Sequence, residues 1–347
     1  WEAEMNTTAD GRSAPRLHTR VCDMLKIRHP VILGGMAGGT NPELVAAVSN
    51  AGGLGIHGVS SLTPEAIRMD TTRIRAMTSA PFGLNLLLFG TDEAQLNAVL
   101  AERPPNASFA WARIDQPLEA IFAKAHNAGS LVMHMVPTVD EARRAASAGA
   151  DIIVAQGTEG GGHVGVMGTM ALVPQVVTAV QPIPVLAAGG IADGRGLAAA
   201  LALGAEGVLV GTRFLATPEA PIHPNFKQAI VDSDGHDTDL NEIPDIIRGN
   251  VWPGAFSRAR RNALIREWAG REWELRQRRP EVEADMMAAR AAGDVDRAVL
   301  FYGQDAGLID AIEPAGDIVT RMVREAHGII ARLSSGPLEP AAGRREA

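Results

Sequence analysis

Residues 182–215 read PIPVLAAGGIADGRGLAAALALGAEGVLVGTRFL and contain one complete strand–helix–strand unit. The apolar runs Val185–Ala188 and Val208–Val210 are predicted strands, and Gly194–Leu203 between them is a predicted helix. Asp193 directly precedes this helix and is expected to be its N-cap rather than a ligand. Strands that alternate with helices lie parallel in one sheet, so this segment predicts an α/β fold.

The same alternation extends back to Pro30. Eight short apolar runs are separated by helix-like segments: Val31–Leu33, Leu54–His57, Phe82–Leu86, Phe109–Ile114, Leu131–Val136, Ile152–Gln156, Val185–Ala188 and Val208–Val210. Eight such units fit a closed (β/α)8 TIM barrel better than an open sheet, and we predict this barrel over residues 21–250. A doubly wound open sheet is the alternative. The fourth run is the least regular, because it contains Trp111 and Arg113.

After Thr212 the pattern becomes helical. Four segments are predicted helices: Pro224–Val231, Phe256–Arg278, Val282–Ala292 and Ile318–Leu333. We expect residues 251–333 to form a C-terminal helical extension that completes the substrate pocket. The ends of the chain, residues 1–20 and 334–347, are rich in small and charged residues and are expected to be flexible.

Composition limits the possible partners. The chain has 347 residues and a formal net charge of −8, and its pI is about 5.6. An acidic chain lacks the basic face that nucleic-acid binding requires, and no run of about 20 apolar residues predicts a membrane span. A single cysteine, Cys22, excludes an internal disulfide, and no histidine or cysteine cluster suggests a metal. We expect a cytoplasmic protein that acts on small molecules, with homodimer formation left open.

The loop after the sixth predicted strand carries the strongest functional signal. Residues 156–165 read QGTEGGGHVG, so five glycines surround His163 at the carboxyl end of a strand. Active sites of these barrels lie at the carboxyl ends of the strands. Histidine ordinarily changes charge near neutral pH and suits proton transfer. This position favours a functional histidine over an incidental surface residue.

Other strand ends carry glycines that let a ligand approach the backbone. Residues 34–39 read GGMAGG after the first strand, Gly189-Gly190 follow the seventh, and Gly211-Thr212 follow the eighth. The loops after strands seven and eight form the usual phosphate site of such barrels. Asn85, an amide inside the third strand, contacts either a ligand or neighbouring backbone.

His134 lies within the fifth predicted strand, in Met133-His134-Met135. Two interpretations of His134 are equally consistent with the sequence. The side chain faces the barrel mouth and the substrate, or it is a core histidine with satisfied hydrogen bonds.

Taken together, these segments resemble the nitronate monooxygenase family, formerly called 2-nitropropane dioxygenases. The resemblance spans about Leu25–Leu240 and returns at Phe301–Ile309. It is carried by HPVILGGM at residues 29–36, NAGGLG at 50–55, FGLN at 82–85, the loop from Gln156 to His163, AGGI at 188–191 and GTRFLAT at 211–217. No family motif is identified in residues 252–296, which are expected to shape the substrate pocket.

The resemblance implies noncovalently bound FMN. Matched position by position, the backbone of Gly35 and Met36 meets the flavin ring, and Asn85 and Gln156 bind the flavin and its ribityl chain. The phosphate is surrounded by glycines and one threonine: Gly161, Gly162, Gly189, Gly190, Gly211 and Thr212. His163 matches the active-site histidine. Tyr302 lies in a segment that folds back over the barrel mouth, where it either lines the substrate pocket or packs a turn.

The family resemblance implies oxidation of nitroalkanes or nitronates with O2 to a carbonyl compound and nitrite. Two sister groups share these motifs, the flavin-dependent enoyl-thioester reductases and the NADH:quinone reductases, so an NAD(P)H-dependent reductase is the alternative. A barrel that binds a phosphorylated ligand without redox turnover is a third hypothesis.

Overall fold

The computed structural model of the chain describes residues 17–334. The flexibility expected for the two chain ends falls almost entirely outside these residues.

Eleven strands are formed by the described residues. In chain order they are β1 (Val31–Leu33), β2 (Gly55–Gly58), β3 (Phe82–Leu87), β4 (Asn106–Ala110), β5 (Leu131–Val136), β6 (Ile152–Gln156), β7 (Gly162–Val164), β8 (Val185–Ala188), β9 (Val208–Val210), β10 (Thr238–Asn241) and β11 (Phe256–Arg260). Eight of them form one parallel sheet in the order β1-β9-β8-β6-β5-β4-β3-β2. A parallel bridge between Ile32 and Leu54 joins its two ends. The sheet is therefore a closed barrel, as predicted, and not a doubly wound sheet.

Helices α1 to α14 accompany the strands. Their bounds are α1 (Arg20–Leu25), α2 (Pro42–Asn50), α3 (Pro64–Met77), α4 (Glu93–Ala101), α5 (Leu118–Asn127), α6 (Val139–Ser147), α7 (Thr169–Val180), α8 (Gly194–Ala202), α9 (Thr212–Leu215), α10 (Pro224–Val231), α11 (Ile243–Arg248), α12 (Ala263–Trp268), α13 (Glu272–Ala292) and α14 (Ala315–Ser334). Asn41 and Thr63 cap helices whose first residue is proline. Asp193 caps α8, as predicted, through the amides of Arg195 and Gly196.

The fourth strand was predicted too far along the chain. It spans Asn106–Ala110 and not Phe109–Ile114. Trp111 has a φ of 56°, in the left-handed region, so the extended backbone ends at this residue. Arg113, which made the predicted strand irregular, lies beyond this end.

The predicted helix Phe256–Arg278 is wrong over its first third. Phe256–Arg260 is β11, which pairs antiparallel with both β10 and β7. Helix α12 follows, and the long α13 begins only at Glu272. The pairing of β11 with β7 joins residues about ninety positions apart, which a local hydrophobic period does not reveal. The resulting three-stranded sheet includes His163.

The helical extension is confirmed, and its last helix completes the barrel. Helix α14 buries Ile318, Val319, Met322, Val323 and Ala326. It packs against α8 and α2, which places it in the position of the eighth outer helix. The segment between β9 and α14 therefore lies outside the repeating strand–helix pattern. No helix among residues 17–334 is long and apolar enough to cross a membrane.

Candidate active site

Two loops at the carboxyl ends of β8 and β9 expose backbone. Gly189 and Gly190 have φ values of 95° and 74°, which favour glycine. Within the described part of the chain, no acceptor is bonded to the amide of either residue. Gly211 and Thr212 follow β9, and only the Sδ atom of Met36, 3.4 Å away, would contact a Cβ at Gly211. Free amides and open space suit an anion such as phosphate.

Asn85 and Gln156 both face the inside of the barrel. Their neighbours Leu84, Leu86 and Ala155 belong to the outer core between strands and helices. Strand side chains alternate between faces, so the two amides point inward. Asn85 Nδ2 donates to Ser108 Oγ at 3.0 Å. Gln156 Oε1 is buried without a partner among the described residues, so an acceptor here is available to a bound group.

The first glycine-rich loop lies against neighbouring strands. A Cβ on Gly58 would lie 2.6 Å from the carbonyl carbon of Met36, so only glycine allows this loop to approach β2. Gly35 and Met36 themselves remain half-buried. The loops that carry Met36 and Gly211 meet at one side of the barrel mouth.

His163 lies on β7 and is held by two polar side chains. Its Nε2 is 2.7 Å from Asp245 Oδ1 and 3.1 Å from Ser257 Oγ. Ser257 Oγ also donates to Asp245 Oδ2 at 2.8 Å. When Nε2–H donates a hydrogen bond to the Asp245 carboxylate, the lone pair of the imidazole is on Nδ1. Nδ1 is bonded to none of the residues 17–334. The arrangement is a histidine oriented by a carboxylate, as a general base requires.

An aromatic cluster covers His163. The ring of Trp252 stacks on the imidazole with centroids 3.3 Å apart and planes inclined by 9°. Phe89, Trp111 and Phe301 surround this pair. Trp252 Nε1 is buried and finds no acceptor in the described part of the chain. An indole N–H is therefore available to a ligand beside the imidazole.

Asp245, Ser257 and Trp252 were not predicted from the sequence. Asp245 lies on α11 in the run Ile243-Pro244-Asp245-Ile246-Ile247, where a buried carboxylate within an apolar segment indicates a partner. Ser257 carried no such signal, because it reaches the site only through the pairing of β11 with β7. Trp252 lies in the segment 252–296, in which no family motif is identified from the sequence.

Tyr302 is almost fully buried, with an exposed fraction of 1%. Its hydroxyl donates to Asp237 Oδ2 at 2.7 Å, and burial together with this carboxylate raises its pKa. The backbone of Tyr302 packs against Gly161, where a Cβ would lie 2.4 Å from the Tyr302 carbonyl carbon. Gly303 N donates to Thr212 Oγ1. The segment folds back onto the loops that carry Gly161 and Thr212, and the Tyr302 hydroxyl is bonded to Asp237.

His134 is not brought to this site. Val132 and Val136 on the same strand belong to the outer core, and the His134 ring lies 5.4 Å from Phe122 of α5. Burial lowers its pKa to about 3, so the imidazole is neutral. The placement favours a core histidine between β5 and α5.

This geometry has known counterparts. The sequence profile of the nitronate monooxygenase family matches residues 18–107 and 89–325. The chain belongs to the nitronate monooxygenase family. It is an oxidoreductase, as predicted.

Relatives of this family member differ in their reactions. A "(3aS,4S,5R,7aS)-5-hydroxy-7a-methyl-1-oxo-octahydro-1H-indene-4-carboxyl-CoA dehydrogenase" of Rhodococcus jostii is 33% identical over 344 residues, covering 89% of this chain and 96% of that protein. The solved structure of FabK from Thermotoga maritima has a TM-score of 0.82 and 36% identity, covering 91% of this chain and 98% of that one. Nitroalkane oxidase from Streptomyces ansochromogenes has a TM-score of 0.78 and 28% identity, covering 90% and 99%.

One buried carboxyl of this family member lies beside the candidate phosphate loop. Asp305 is fully enclosed, one of its oxygens has no partner among residues 17–334, and Thr212 is its neighbour. Burial raises the pKa of Asp305 to about 7, against the opposing effects of Thr212 and Arg213. The carboxyl is therefore partly protonated near neutral pH.

Proposed function

We propose that this chain is an FMN-dependent nitronate monooxygenase, which oxidises nitroalkanes or their nitronates with O2 to a carbonyl compound and nitrite. The observation that carries the proposal is the hydrogen-bonded group of His163, Asp245 and Ser257 at the mouth of a glycine-rich barrel.

The residues at the barrel mouth fit FMN. Gly189, Gly190, Gly211 and Thr212 would hold the phosphate, supported by the unbonded amides of Gly189 and Gly190 and by the open space at Gly211. Gly161 and Gly162 would flank it, and a Cβ on Gly162 would meet nothing within 4 Å. Gln156 Oε1, buried without a partner among the described residues, would accept a hydrogen bond from the flavin or its ribityl chain, with Asn85 beside it. Gly35 and Met36 would meet the ring. FMN when bound supplies the two-electron chemistry.

The substrate side is formed by His163 and Trp252. His163 Nδ1 would take the α-proton of a neutral nitroalkane, and Asp245 would stabilise the imidazolium that results. The free Trp252 N–H would donate to an oxygen of the nitro group, which gains negative charge as the proton leaves. Trp252 also keeps the imidazole plane fixed by stacking.

Anaerobic mixing of the purified holoprotein tests this proposal. We expect yellow protein whose flavin absorbance bleaches rapidly with a nitronate and slowly with NADH or NADPH, followed by nitrite release when oxygen is admitted. Colourless protein that binds no added FMN would remove the cofactor assignment. Rapid bleaching by NADH or NADPH alone would instead favour a reductase.

The second candidate is a flavin enzyme that acts on thioesters with NAD(P)H or a related electron partner. It is favoured by the Rhodococcus relative, whose name describes a CoA thioester and which this chain covers almost completely. A nitroalkane and a thioester both carry an acidic proton next to an electron-withdrawing group, so His163 and Asp245 suit either substrate. The same anaerobic experiment separates the two candidates.

A further inference from the structure

Helix α13 carries arginines along one face. Arg276, Arg279 and Arg290 fall on this face together with Glu283 and Met287, because they are spaced three or four residues apart. The face extends over about 21 Å, from the rise of about 1.5 Å per residue. Glu272 lies on this face as well, so with Arg248 beside it four guanidinium groups face two carboxylates. We call these three arginines with Arg248 the α13 basic face.

One end of the basic face lies in a cavity next to the candidate active site. Arg276 and Arg279 line this cavity of about 270 Å³ together with Asp245 and Trp252, two of the residues that hold His163. Arg279 pairs with Glu283 at 3.1 Å. Arg276 pairs with no carboxylate within 4 Å among the described residues.

The other end lies beside the first glycine-rich loop. Arg290 is half-buried, and its Nη2 lies 4.0 Å from the position of a Cβ on Gly38. Arg248 donates to Met287 Sδ, one turn before Arg290 on α13. Within residues 17–334, the guanidinium of Arg290 has no hydrogen bond or ion pair.

This environment is unfavourable for an isolated guanidinium. Burial lowers the pKa of Arg290, and the nearby positive charge of Arg248 lowers it further, with no carboxylate opposing them. A half-buried guanidinium that is repelled by a second one and has no counter-charge is stabilised by a bound anion. The anion must reach them from the barrel mouth, where the Gly38 loop is exposed.

We propose that the α13 basic face binds the phosphate groups of an extended substrate or co-substrate whose reacting end lies beside His163. The orientation of this ligand rests on the oxidoreductase site proposed above, because its reacting end is placed beside His163. Binding of its phosphates does not require turnover and can be measured separately. Two sources share this chemistry: the phosphates of a nucleotide-linked thioester and the 2′-phosphate of NADPH.

Equilibrium binding to the flavin-loaded full chain tests the proposal, with coenzyme A, NADPH and NADH as probes. The variant Arg276→Gln/Arg290→Gln removes two charges of the basic face. The control Arg278→Gln changes an arginine of the same helix that points away from this face and pairs with Glu281. Flavin content and melting temperature confirm that each variant is folded.

We expect the double variant to weaken binding of one phosphate-bearing probe about tenfold or more, and the control to leave it unchanged. Weaker coenzyme A binding identifies a thioester arm, and weaker NADPH binding with unchanged NADH binding identifies the dinucleotide phosphate. Equal affinity in all variants, or no binding of coenzyme A or NADPH by the parent protein, overturns the proposal. Failure of nitronate oxidation alone counts only against the proposed function.

Discussion

At the scale of single residues, His163 is the side chain on which the proposed chemistry depends. Its ring contacts Trp252 and Asp245 above the barrel and contributes nothing to the barrel interior. We expect His163→Asn to retain flavin and fold but to lose about 10²–10⁴-fold in rate on neutral nitroalkanes. Preformed nitronates need no proton removed, so their oxidation should decrease less. Steady-state rates on both forms of one nitroalkane measure the difference.

His126→Asn is the matched control, because His126 also bonds an aspartate, Asp151, but away from the barrel mouth. It should leave both rates unchanged. Equal losses on the two substrate forms in His163→Asn would make His163 a positioning group instead of a base. Full activity on both would remove it from the mechanism.

Asp305 predicts a dependence of stability on pH. Its pKa is raised to about 7 in the folded chain, so the folded state keeps this proton at pH values where the unfolded chain has lost it. The contribution of Asp305 to stability is therefore greatest below about pH 4 and decreases as the pH rises to about 7. Asp305→Asn should melt higher than the parent at pH 8, and this advantage should shrink towards pH 4.

Thermal unfolding at several pH values measures this effect. In a chain of this size, each kcal/mol of unfolding free energy shifts the melting temperature by roughly 2–4 °C. Asp115→Asn, which changes an exposed carboxylate, should show no such trend. A difference between Asp305→Asn and the parent that does not vary with pH would show that Asp305 is ionised throughout.

At the scale of elements, the loop between β8 and α8 should decide whether flavin binds. Gly190→Glu places bulk, a negative charge and an L side chain at a φ of 74°, next to the expected phosphate. We expect a colourless protein. Absorbance at the flavin maximum relative to protein absorbance measures retention.

The control for this loop is Gly129→Glu. Gly129 has a φ of 87° and open space around it, and it precedes β5 at the opposite end of the barrel. It imposes a similar backbone strain and the same charge, without the contact to Glu159 that a Cβ at Gly190 makes at 3.2 Å and without approaching the phosphate site, so flavin should be retained. Full flavin content in Gly190→Glu would show that the phosphate lies elsewhere.

At the scale of the whole molecule, closure of the outer layer depends on α14. Met322 is fully buried where α14 packs on α8, and Glu325 accepts the Gly194 amide at the start of α8. We expect Met322→Ala to lower the free energy of unfolding by about 2–5 kcal/mol, the usual result of a cavity in a core.

Urea unfolding measures this loss, with Leu333→Ala as the control on an exposed position of the same helix. The control should change stability by less than about 0.5 kcal/mol. A loss equally small in Met322→Ala would mean that α14 is a detachable extension and not the eighth helix of the barrel.

The sequence alone determined the barrel and the loops that face its mouth. Apolar runs and helix caps are local signals, so seven of the eight barrel strands were predicted within one or two residues. Parallel strands also bring their carboxyl ends to one face. For this reason the glycines at 189–190 and 211, the amides of Asn85 and Gln156, and His163 could be assigned to the same region from their order in the chain.

The tertiary structure decided what surrounds His163. Asp245, Trp252 and Ser257 are more than eighty residues away along the chain, and they reach the imidazole through α11 and the pairing of β11 with β7. The outward direction of His134 and the bond from Tyr302 to Asp237 depend on packing in the same way. Local patterns specify which element forms. Contacts between distant segments depend on how these elements pack, and no local pattern encodes that packing.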